Sequence, residues 1–488
     1  MKLTKTTIMI CALLGCTHSV KAEPWIGTND VYLRNAIELL VSQGLINRPV
    51  NTYPLMWQGI AQDIKRLSIS DIPNNALFAY THIQYALKFA QKKSLSGIKL
   101  KSNNQPSALQ SFGERYQEKA AIQGYSILMG ERVTAKLSLQ YNKDANNQKK
   151  LSYDDSYLAV LLGNWSFSAE QINHWWGPSN DNALLLSNNA TPMPSLRISR
   201  LNTDYYGPSW LSFIGPWNIT ALISQQKHLK NIATNTSASE NRFFGMRFSS
   251  VPLPGLELAV SQTAQFNGSD INDLTNVFLG KNKINSQTGI NEYNQLTSID
   301  FKYSHIAFGQ SFAVYGELAG NKKSSLIPEE KNFTTGLEAY FGLDNQVIKT
   351  YLEYSDTVSQ CTKINLDNTK TSQHCSYEHI NFSDGYKHYN QNIGPAIDSQ
   401  AKSYTLGINY HQTNGLAAFA KIRHIKQDIL PIDSIAEHTK HLQLDIGYQQ
   451  GLFNGLLKVS GSVFKVKQHI SKSNKTETSL QASWEYRF

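Results

Sequence analysis

The residues best suited to chemistry in this chain of 488 residues lie between positions 175 and 200. Indole rings can cover the apolar faces of sugar rings, while amide, carboxylate and guanidinium groups can pair with sugar hydroxyls and carboxylates. This chemistry is compatible with polysaccharide binding, without demanding it, and the candidate residues are Trp175, Trp176, Asn180, Asp181, Asn188, Asn189, Arg197 and Arg200. A structural interpretation stays open beside it, because the Trp pair can pack inside the protein and the asparagines can bond to loop backbone.

No pattern of catalytic residues accompanies this block. The 13 histidines are scattered, and neither HExxH nor GxSxG occurs, so we predict no catalytic residues, no metal site and no cofactor. A membrane-embedded hydrolase, the least favoured function class, would need such a constellation. The net charge of +9 is spread along the chain without the basic stripe expected of a nucleic-acid binder.

The elements that must position this block are strands with a two-residue period. In the last ten residues Leu480, Ala482, Trp484, Tyr486 and Phe488 share one face, and polar side chains occupy the other. Lipid on one side, a polar lumen on the other and aromatics at the interface are typical of an outer-membrane barrel strand. We predict that Trp484, Tyr486 and Phe488 mark the strand that closes the barrel.

Similar alternation recurs through the chain, for example from Val133 to Tyr141 and from Leu442 to Tyr448. The gaps between these segments alternate between long and short, as the loops and turns of such barrels do. Sixteen strands fit from Arg132 onward, and residues 108–130 can supply one more hairpin. The predicted fold class is therefore an all-β transmembrane, closed antiparallel outer-membrane β-barrel over residues 106–488. The predicted strand count is 18, with 16 as the alternative.

The first 22 residues read as a signal peptide. Lys2 and Lys5 precede an apolar centre, and a small-residue cleavage site ends at Ala22, so the mature chain is predicted to begin at Glu23. Cleavage and lipidation at Cys16 is the competing interpretation.

Residues 23–105 have a helical period and are predicted to form a small periplasmic α-helical bundle, or plug, at the barrel mouth. One helix covers residues 30–43, capped by Asn29 or Thr28. Two more begin near Pro54 and Pro73, because proline suits the first turn of a helix.

Only two cysteines remain in the predicted mature chain. Cys361 and Cys375 lie in a polar stretch, and in an oxidising compartment such a pair is expected to form a disulfide. A metal site with His374 and His379 is the alternative, and it lacks a second pair with metal-ligand spacing.

The stretch from residue 164 to 217 resembles the Wzi family of capsule-assembly outer-membrane proteins. The resemblance rests on WWGP at 175–178, LLLSNNA with its two prolines at 184–194, and GPW at 215–217, and it extends to the helical start. Ser179 stands where the family usually has a second Gly. The resemblance implies an eighteen-stranded barrel with a periplasmic helical bundle, a lectin-like role and no enzyme activity.

The predicted function is an outer-membrane lectin-like protein that binds and retains capsular polysaccharide or exopolysaccharide at the cell surface. A general porin or solute channel is the alternative. Lysines such as Lys465 and Lys467 could attract an acidic polymer or contact lipopolysaccharide phosphates. The predicted partners are an acidic polysaccharide, outer-membrane lipid, lipopolysaccharide and the barrel-assembly machinery, with no nucleic acid. We expect a monomer, integral to the outer membrane, with its helices in the periplasm and its long loops at the surface.

Overall fold

The computed structural model describes residues 23–105, 109–145, 149–227, 240–267, 271–286, 291–321, 328, 331–343, 345–358, 362–366, 370–374, 376–379, 381–382, 384–429, 437–468 and 474–488. The predicted signal peptide, with its alternative lipidation site at Cys16, lies outside the described residues, and so do Cys361 and Cys375. Within the described ranges, no helix is both long enough and apolar enough to cross a membrane.

Eighteen antiparallel strand positions close into one barrel in the part of the chain that the structure describes. They are β1 Ser94–Asn103, β2 Glu118–Met129, β3 Val133–Ala145, β4 Leu151–Ser152 with Ser156–Leu162, β5 Trp165–Gln171, β6 Ser195–Arg200, β7 Trp217–Lys227, β8 Glu240–Leu253, β9 Leu256–Phe266, β10 Asn294–Ala307, β11 Gln310–Asn321, β12 Asn332–Leu343, β13 Gln346–Asp356, β14 Ala401–Gln412, β15 Ala417–Ile429, β16 Glu437–Leu452, β17 Gly455–Gln468 and β18 Asn474–Arg487. Both parts of β4 pair with β3, so they count as one interrupted strand. The predicted fold class and the count of 18 are confirmed.

The two faces of the barrel wall differ as the alternation predicts. On β16 the outward Leu442, Leu444 and Ile446 are 45%, 46% and 56% exposed, whereas the intervening Gln443 and Asp445 are buried in the lumen. Successive side chains of a strand point to opposite faces, so an alternating sequence gives an apolar wall around a polar interior.

The C-terminal strand closes the barrel. β18 pairs with β1, with Trp484 opposite Leu100 and Arg487 opposite Gly97. Phe488 extends the ladder, because its N–H donates to the Ser96 carbonyl at 2.8 Å. The rings of Trp484 and Tyr486 stack at 6.0 Å, and Phe488 follows at 5.8 Å from Tyr486.

The barrel begins earlier than predicted. β1 starts at Ser94, not at residue 106, and the extra hairpin comes from residues 94–129 rather than 108–130. Lysines obscure the pattern in β1, because Lys99 and Lys101 occupy its lumen face while Ile98 and Leu100 face outward. The helical unit therefore ends before residue 94, and the boundary at residue 105 is corrected.

Three helices precede the barrel: α1 Val31–Ser42, α2 Trp57–Arg66 and α3 Asn74–Ala90. The side chain that caps α1 belongs to Asp30, which accepts from the Leu33 N–H at 2.9 Å, so the predicted caps at residues 28 and 29 were wrong. α2 begins after Pro54 because Leu55–Met56 first pairs with Trp25–Ile26 as a short strand. We call residues 23–93 the helical plug.

The connections define two ends of the barrel. At the short-turn end, strands join through segments such as 163–164, 254–255, 308–309 and 453–454. The exception is residues 201–216, which include a 3-10 helix at Ser209–Ile214. At the long-loop end, the connections include residues 104–117, 172–194, 267–293 and 357–400.

The helical plug occupies the short-turn end. The Tyr32 and Phe78 rings each lie 5.0 Å from His411, near the end of β14, and Gln43 donates to the Ser311 hydroxyl at 2.7 Å. Helix α3 packs against β12, where Gly342 approaches the backbone of α3 too closely for any side chain. The core of the plug combines apolar residues of all three helices with residues of the barrel wall.

Candidate functional site

The connection between β5 and β6 folds back into the barrel. We call residues 172–194 the lumen loop, and nearly all of its side chains are buried. Trp175 and Trp176 pair antiparallel with Tyr53 and Thr52 of the helical plug. An insert from the long-loop end thus meets an insert from the short-turn end inside the lumen.

Aromatic packing fixes this junction. The Trp175 ring packs edge-on against Phe112 at 5.5 Å, and Trp176 lies over Gly245 of β8. A Cβ at Gly245 would stand 2.8 Å from the Trp176 ring, so only glycine leaves room for this indole. Gly177 has a φ of 129°, a conformation that other residues rarely adopt, and this lets the loop turn after the two Trp residues.

A first ion cluster ties α1 to the barrel wall. The Glu38 carboxylate contacts Lys302 of β10 at 2.8 Å, Lys349 of β13 at 2.6 Å and Arg34 of its own helix at 3.1 Å. Both lysines also contact Glu338 of β12. Burial alone would raise the pKa of Glu38, yet the two lysines and Arg34 hold that pKa well below its usual value. Glu38 is therefore a buried, charged anchor.

Helix α1 also contacts the lumen loop directly. Arg34 donates to the carbonyl oxygens of Pro178 and Ser179, both at 3.0 Å, and its guanidinium lies 4.4 Å above the Phe112 ring. One guanidinium therefore joins the helical plug to the lumen loop.

A second ion cluster holds the lumen loop to strands β15 and β16 of the wall. Asp181 accepts two hydrogen bonds from Arg423 of β15, at 2.6 and 2.7 Å, and one from Lys421 at 3.1 Å. Arg423 also contacts Asp445 of β16 at 2.5 Å. Burial would raise the pKa of Asp181, but Arg423 and Lys421 outweigh it and lower that pKa. This bidentate pair is the strongest charged contact of the loop.

Carboxylates of the wall also bind the loop backbone. Glu353 of β13 accepts from the N–H groups of Asn180, Asp181 and Asn182 at 2.7, 3.2 and 2.9 Å. Glu317 of β11 accepts from the Leu184 N–H at 3.1 Å. These contacts satisfy backbone groups that burial would otherwise leave without water.

A cavity of about 170 Å³ lies between the helical plug and strands β14–β17. Tyr32, Phe112, Lys421 and Lys458 are among its lining residues, and Glu114 contacts Lys458 there at 3.2 Å. Burial opposes ionisation of Glu114, but nearby lysines lower its pKa to about 2. Pockets for ligands usually exceed about 300 Å³, so this cavity is too small for an oligosaccharide.

Comparison with known proteins identifies the family. The model of the family described as capsule assembly protein Wzi matches residues 90–480. The chain belongs to the Wzi capsule assembly family. A protein of 55.8 kDa from the cps region of Klebsiella pneumoniae is 24% identical over 358 residues, which is 71% of this chain and 69% of that protein.

The structure of Wzi from Escherichia coli is similar throughout. The TM-score is 0.77 at 21% sequence identity, and the match covers 94% of this chain and 98% of that one. That protein is described as an outer-membrane, carbohydrate-binding β-barrel involved in group 1 capsule assembly. The family and the fold together make this chain an outer-membrane β-barrel.

The structure places all eight residues predicted to bind polysaccharide inside the barrel of this Wzi family member, between 0% and 8% exposed. Asn188 donates to the Gly113 carbonyl at 2.8 Å, and Asn189 to the Asn392 carbonyl at 3.0 Å. The side-chain amide nitrogens of these two asparagines are engaged within the chain, which favours the structural interpretation. We therefore propose no binding of surface polysaccharide by Trp175, Trp176, Asn180, Asp181, Asn188, Asn189, Arg197 or Arg200.

Arg197 and Arg200 likewise make contacts within the chain. Arg197 forms a bidentate pair with Glu170 at 2.7 and 2.9 Å, and its guanidinium lies 4.3 Å above the Trp25 ring. Arg200 donates to the Trp217 and Asp204 carbonyls, both at 2.7 Å. His174 of the lumen loop also contacts Glu170, at 3.2 Å, and burial lowers the pKa of His174.

Sequence reasoning missed the buried charged residues of helix α1 and of the barrel wall that join the inserts to the wall. They are Glu38, Lys302, Glu317, Glu338, Lys349, Glu353, Lys421, Arg423 and Asp445. A signal for most of them is present, because charged residues occupy lumen-facing positions of alternating strands, as Lys421 and Arg423 do around Ile422. Such buried charges require partners, which are supplied here by the inserts and by neighbouring wall strands.

The long-loop end presents a different surface. Helix α4, Ile271–Phe278, belongs to the connection between β9 and β10 and is held by a hydrogen bond from Gln262 to the Val277 carbonyl at 2.8 Å. Phe278 and Ile284 are 50% and 54% exposed, and the neighbouring Lys281 is exposed as well. We call residues 271–286 the α4 surface. It combines an exposed ring, amides and cations on an anchored element.

Proposed function

We propose that this protein binds an acidic polysaccharide and retains it at the cell surface without making or cutting it. The observation that carries the proposal is the sealed lumen of a barrel in the Wzi family, filled from both ends by inserts that buried ion pairs hold. A filled barrel is poorly suited to transport, so its outer surface is the expected working part. The carbohydrate binding described for the Escherichia coli Wzi structure supports this assignment.

We infer that the long-loop end faces the outside and the helical plug faces the periplasm. Outer-membrane barrels combine short periplasmic turns with long external loops, and both ends of this barrel's strand order lie at the short-turn end. The α4 surface would then stand at the cell surface, where a polymer can reach it.

The α4 surface is the binding surface that the described residues favour. An exposed phenyl ring at Phe278 can cover a sugar ring, while Lys281 attracts sugar carboxylates. Each such contact is weak, so retention would rely on many copies of the protein holding one long polymer.

The experiment measures binding of purified protein to an acidic polysaccharide immobilised on a sensor. We expect the double variant F278A/K281Q to bind several-fold less than the wild type, and binding of the wild type to fall as salt is raised from about 0.05 to 0.5 M, because salt screens exposed charges. A matched control, F308A/K88Q, removes an exposed ring and an exposed lysine at the short-turn end. Equal binding by both variants would remove the α4 surface from the proposal, and no binding by the wild type would remove the function.

The porin is the alternative function, and the described residues argue against it. A barrel of this size leaves an aqueous channel only if its interior is open. Here the lumen loop and the helical plug meet within it, and their charged groups are paired with the wall.

A further inference from the structure

A row of lysines crosses the outside of the barrel at the long-loop end. Lys402 lies directly opposite Lys426, Lys426 opposite Lys440, and Lys440 opposite Lys467 on the four successive strands β14 to β17. All four side chains are on the outward face, and we call them the lysine row. Adjacent strands are about 4.8 Å apart, so the row spans about 14 Å.

The lysine row lies just beyond the apolar belt. The outward apolar side chains nearest to it are Tyr404 on β14, Ile422 on β15, Leu442 on β16 and Val463 on β17. The Tyr404 ring packs against Tyr354 of β13 at 4.7 Å, and aromatic pairs of this kind mark the membrane interface. The row therefore reaches the depth of lipid head groups rather than the tips of the loops.

Three of the four lysines in the row have no acidic partner among the residues that the structure describes. Like charges directly opposite each other on neighbouring strands are destabilising. Lys402 pairs with Asp356 at 3.1 Å, but among the described residues no acidic side chain forms an ion pair with Lys426, Lys440 or Lys467. Three strands further around the barrel, by contrast, the exposed Lys119 of β2 contacts Asp144 of β3 at 3.4 Å.

We propose that the lysine row, with Lys465 beside it, binds the phosphate groups of lipopolysaccharide in the outer leaflet. A phosphorylated glycolipid offers anionic groups at head-group depth and acyl chains that can lie against Leu442, Leu444 and Val463 below. Lysine binds phosphate as a point charge and can adjust its long side chain to it. The bound phosphates supply the missing counter-charge. The proposal needs the long-loop end to face outward, but it does not depend on polysaccharide retention.

The test compares two triple variants that lose the same charge. K426Q/K440Q/K467Q removes the unbalanced lysines of the row, and K119Q/K143Q/K150Q removes exposed lysines at the same end on strands β2 and β3 and in the following loop. Each protein is purified in detergent, incubated with lipopolysaccharide, washed, and assayed for retained glycolipid by native mass spectrometry. Each surface lysine typically changes the affinity for anionic lipid about fivefold, so we expect the loss of three lysines to lower the affinity of the row variant for lipopolysaccharide roughly a hundredfold.

Further measurements establish that the variants are folded and can overturn the proposal. Heat-dependent gel migration shows that both variants are folded, and added lipopolysaccharide should raise the unfolding temperature of the control variant and the wild type only. Equal retention by the two variants overturns the proposal. So does equal retention of enzymatically dephosphorylated lipopolysaccharide by the wild type, because phosphate would then not be recognised. A row variant that loses binding of acidic polysaccharide while keeping lipopolysaccharide would assign the lysines to the polymer instead, and would also overturn it.

Discussion

Asp181 is the residue on which the lumen loop depends most. Its carboxylate is the direct counter-charge of Arg423 and Lys421, and Asp445 alone cannot replace its bidentate contact. Removing one partner of a buried ion pair leaves an uncompensated charge, which costs about 3–5 kcal/mol. We expect Asp181→Asn to lower markedly the temperature at which the purified barrel converts from its fast-migrating to its slow-migrating form on a gel.

The control for this prediction is Asp144→Asn. Asp144 contacts Lys119, but both side chains are more than half exposed, and exposed pairs contribute about 0–1 kcal/mol. A similar loss of stability in the two variants would show that the buried pair has no special role.

The pH dependence gives a second check on Asp181. The folded protein holds the pKa of Asp181 below the ordinary aspartate value of about 3.9, so the folded state favours the charged carboxylate. The ion pair therefore contributes in full above about pH 4, and the contribution is lost as the pH falls towards the folded-state pKa. We expect the difference in stability between the wild type and Asp181→Asn to be constant near pH 7 and to shrink below about pH 4.

A further prediction about single residues is a disulfide between Cys361 and Cys375. The segments Thr362–Leu366 and Lys370–His374, which lie between them in the sequence, pair antiparallel with Thr362 opposite His374. We expect a disulfide worth at most about 3 kcal/mol through restriction of the unfolded chain. Thiol titration of the mature protein in denaturant without reductant should find no free thiol, and two free thiols would refute the bond.

At the residue scale, the sequence identified residues 175–200 as a distinctive segment, but not that its side chains pack and form ion pairs inside the barrel. Trp175 and Asp181 have side chains that suit sugar recognition, and nothing local shows that they are buried. Asp181 and Arg423 are 242 positions apart, so only the closed barrel brings them together. A residue type indicates which contacts are possible, while the tertiary structure decides which are made.

Helix α1 is the element that keeps the lumen closed at the short-turn end. Glu38 contacts residues of the wall that lie 264 and 311 positions away, and its loss would leave Lys302 and Lys349 with Glu338 alone. In planar bilayers we expect the wild type to show no steady conductance, and Glu38→Gln to show intermittent opening as α1 loosens.

The matched variant is Glu477→Gln, which removes a carboxylate from the Lys475 pair at the long-loop end, outside the lumen cluster. It should remain as closed as the wild type. Large, steady conductance steps from the wild-type protein would instead support the porin.

The terminal strand is the element that completes the sheet. Phe488 exchanges two backbone hydrogen bonds with Ser96, at 2.8 and 3.1 Å, and continues the outward aromatic series of β18. Deleting Phe488 should reduce insertion into the outer membrane, measured as the heat-modifiable fraction, whereas Phe488→Tyr should keep it. Insertion of the deletion variant at the wild-type yield would contradict the role of this strand.

Elements with strong alternation were predictable, and those with mixed patterns were not. The strand after Arg132 shows the two-residue period plainly, and β3 is present from Val133. β1 was assigned to the helical unit, because lysines on its lumen face interrupt the apolar signal. The helix starts shifted by a few residues, since the short pairing of Leu55–Met56 with Trp25–Ile26 competes with helix formation.

At the scale of the whole molecule, the barrel is a scaffold whose lumen receives inserts from both ends. The helical plug and the lumen loop enter from opposite ends, meet through Trp175 and Arg34, and are charge-paired with the wall. The number of strands, and which end of the barrel carries the long loops, follow from sequence patterns. The meeting of the inserts does not, because it depends on contacts between segments more than 120 residues apart, such as Arg34 with Pro178.

Retention of polymer by living cells tests the central claim most directly. Cells that lack this protein should be compared with cells carrying it, with polysaccharide measured separately on washed cells and in the medium. The account predicts that total polymer and chain length stay nearly unchanged while polymer moves from the cells to the medium. Loss of synthesis, or shorter chains, would contradict it and place the protein in polymerisation or export.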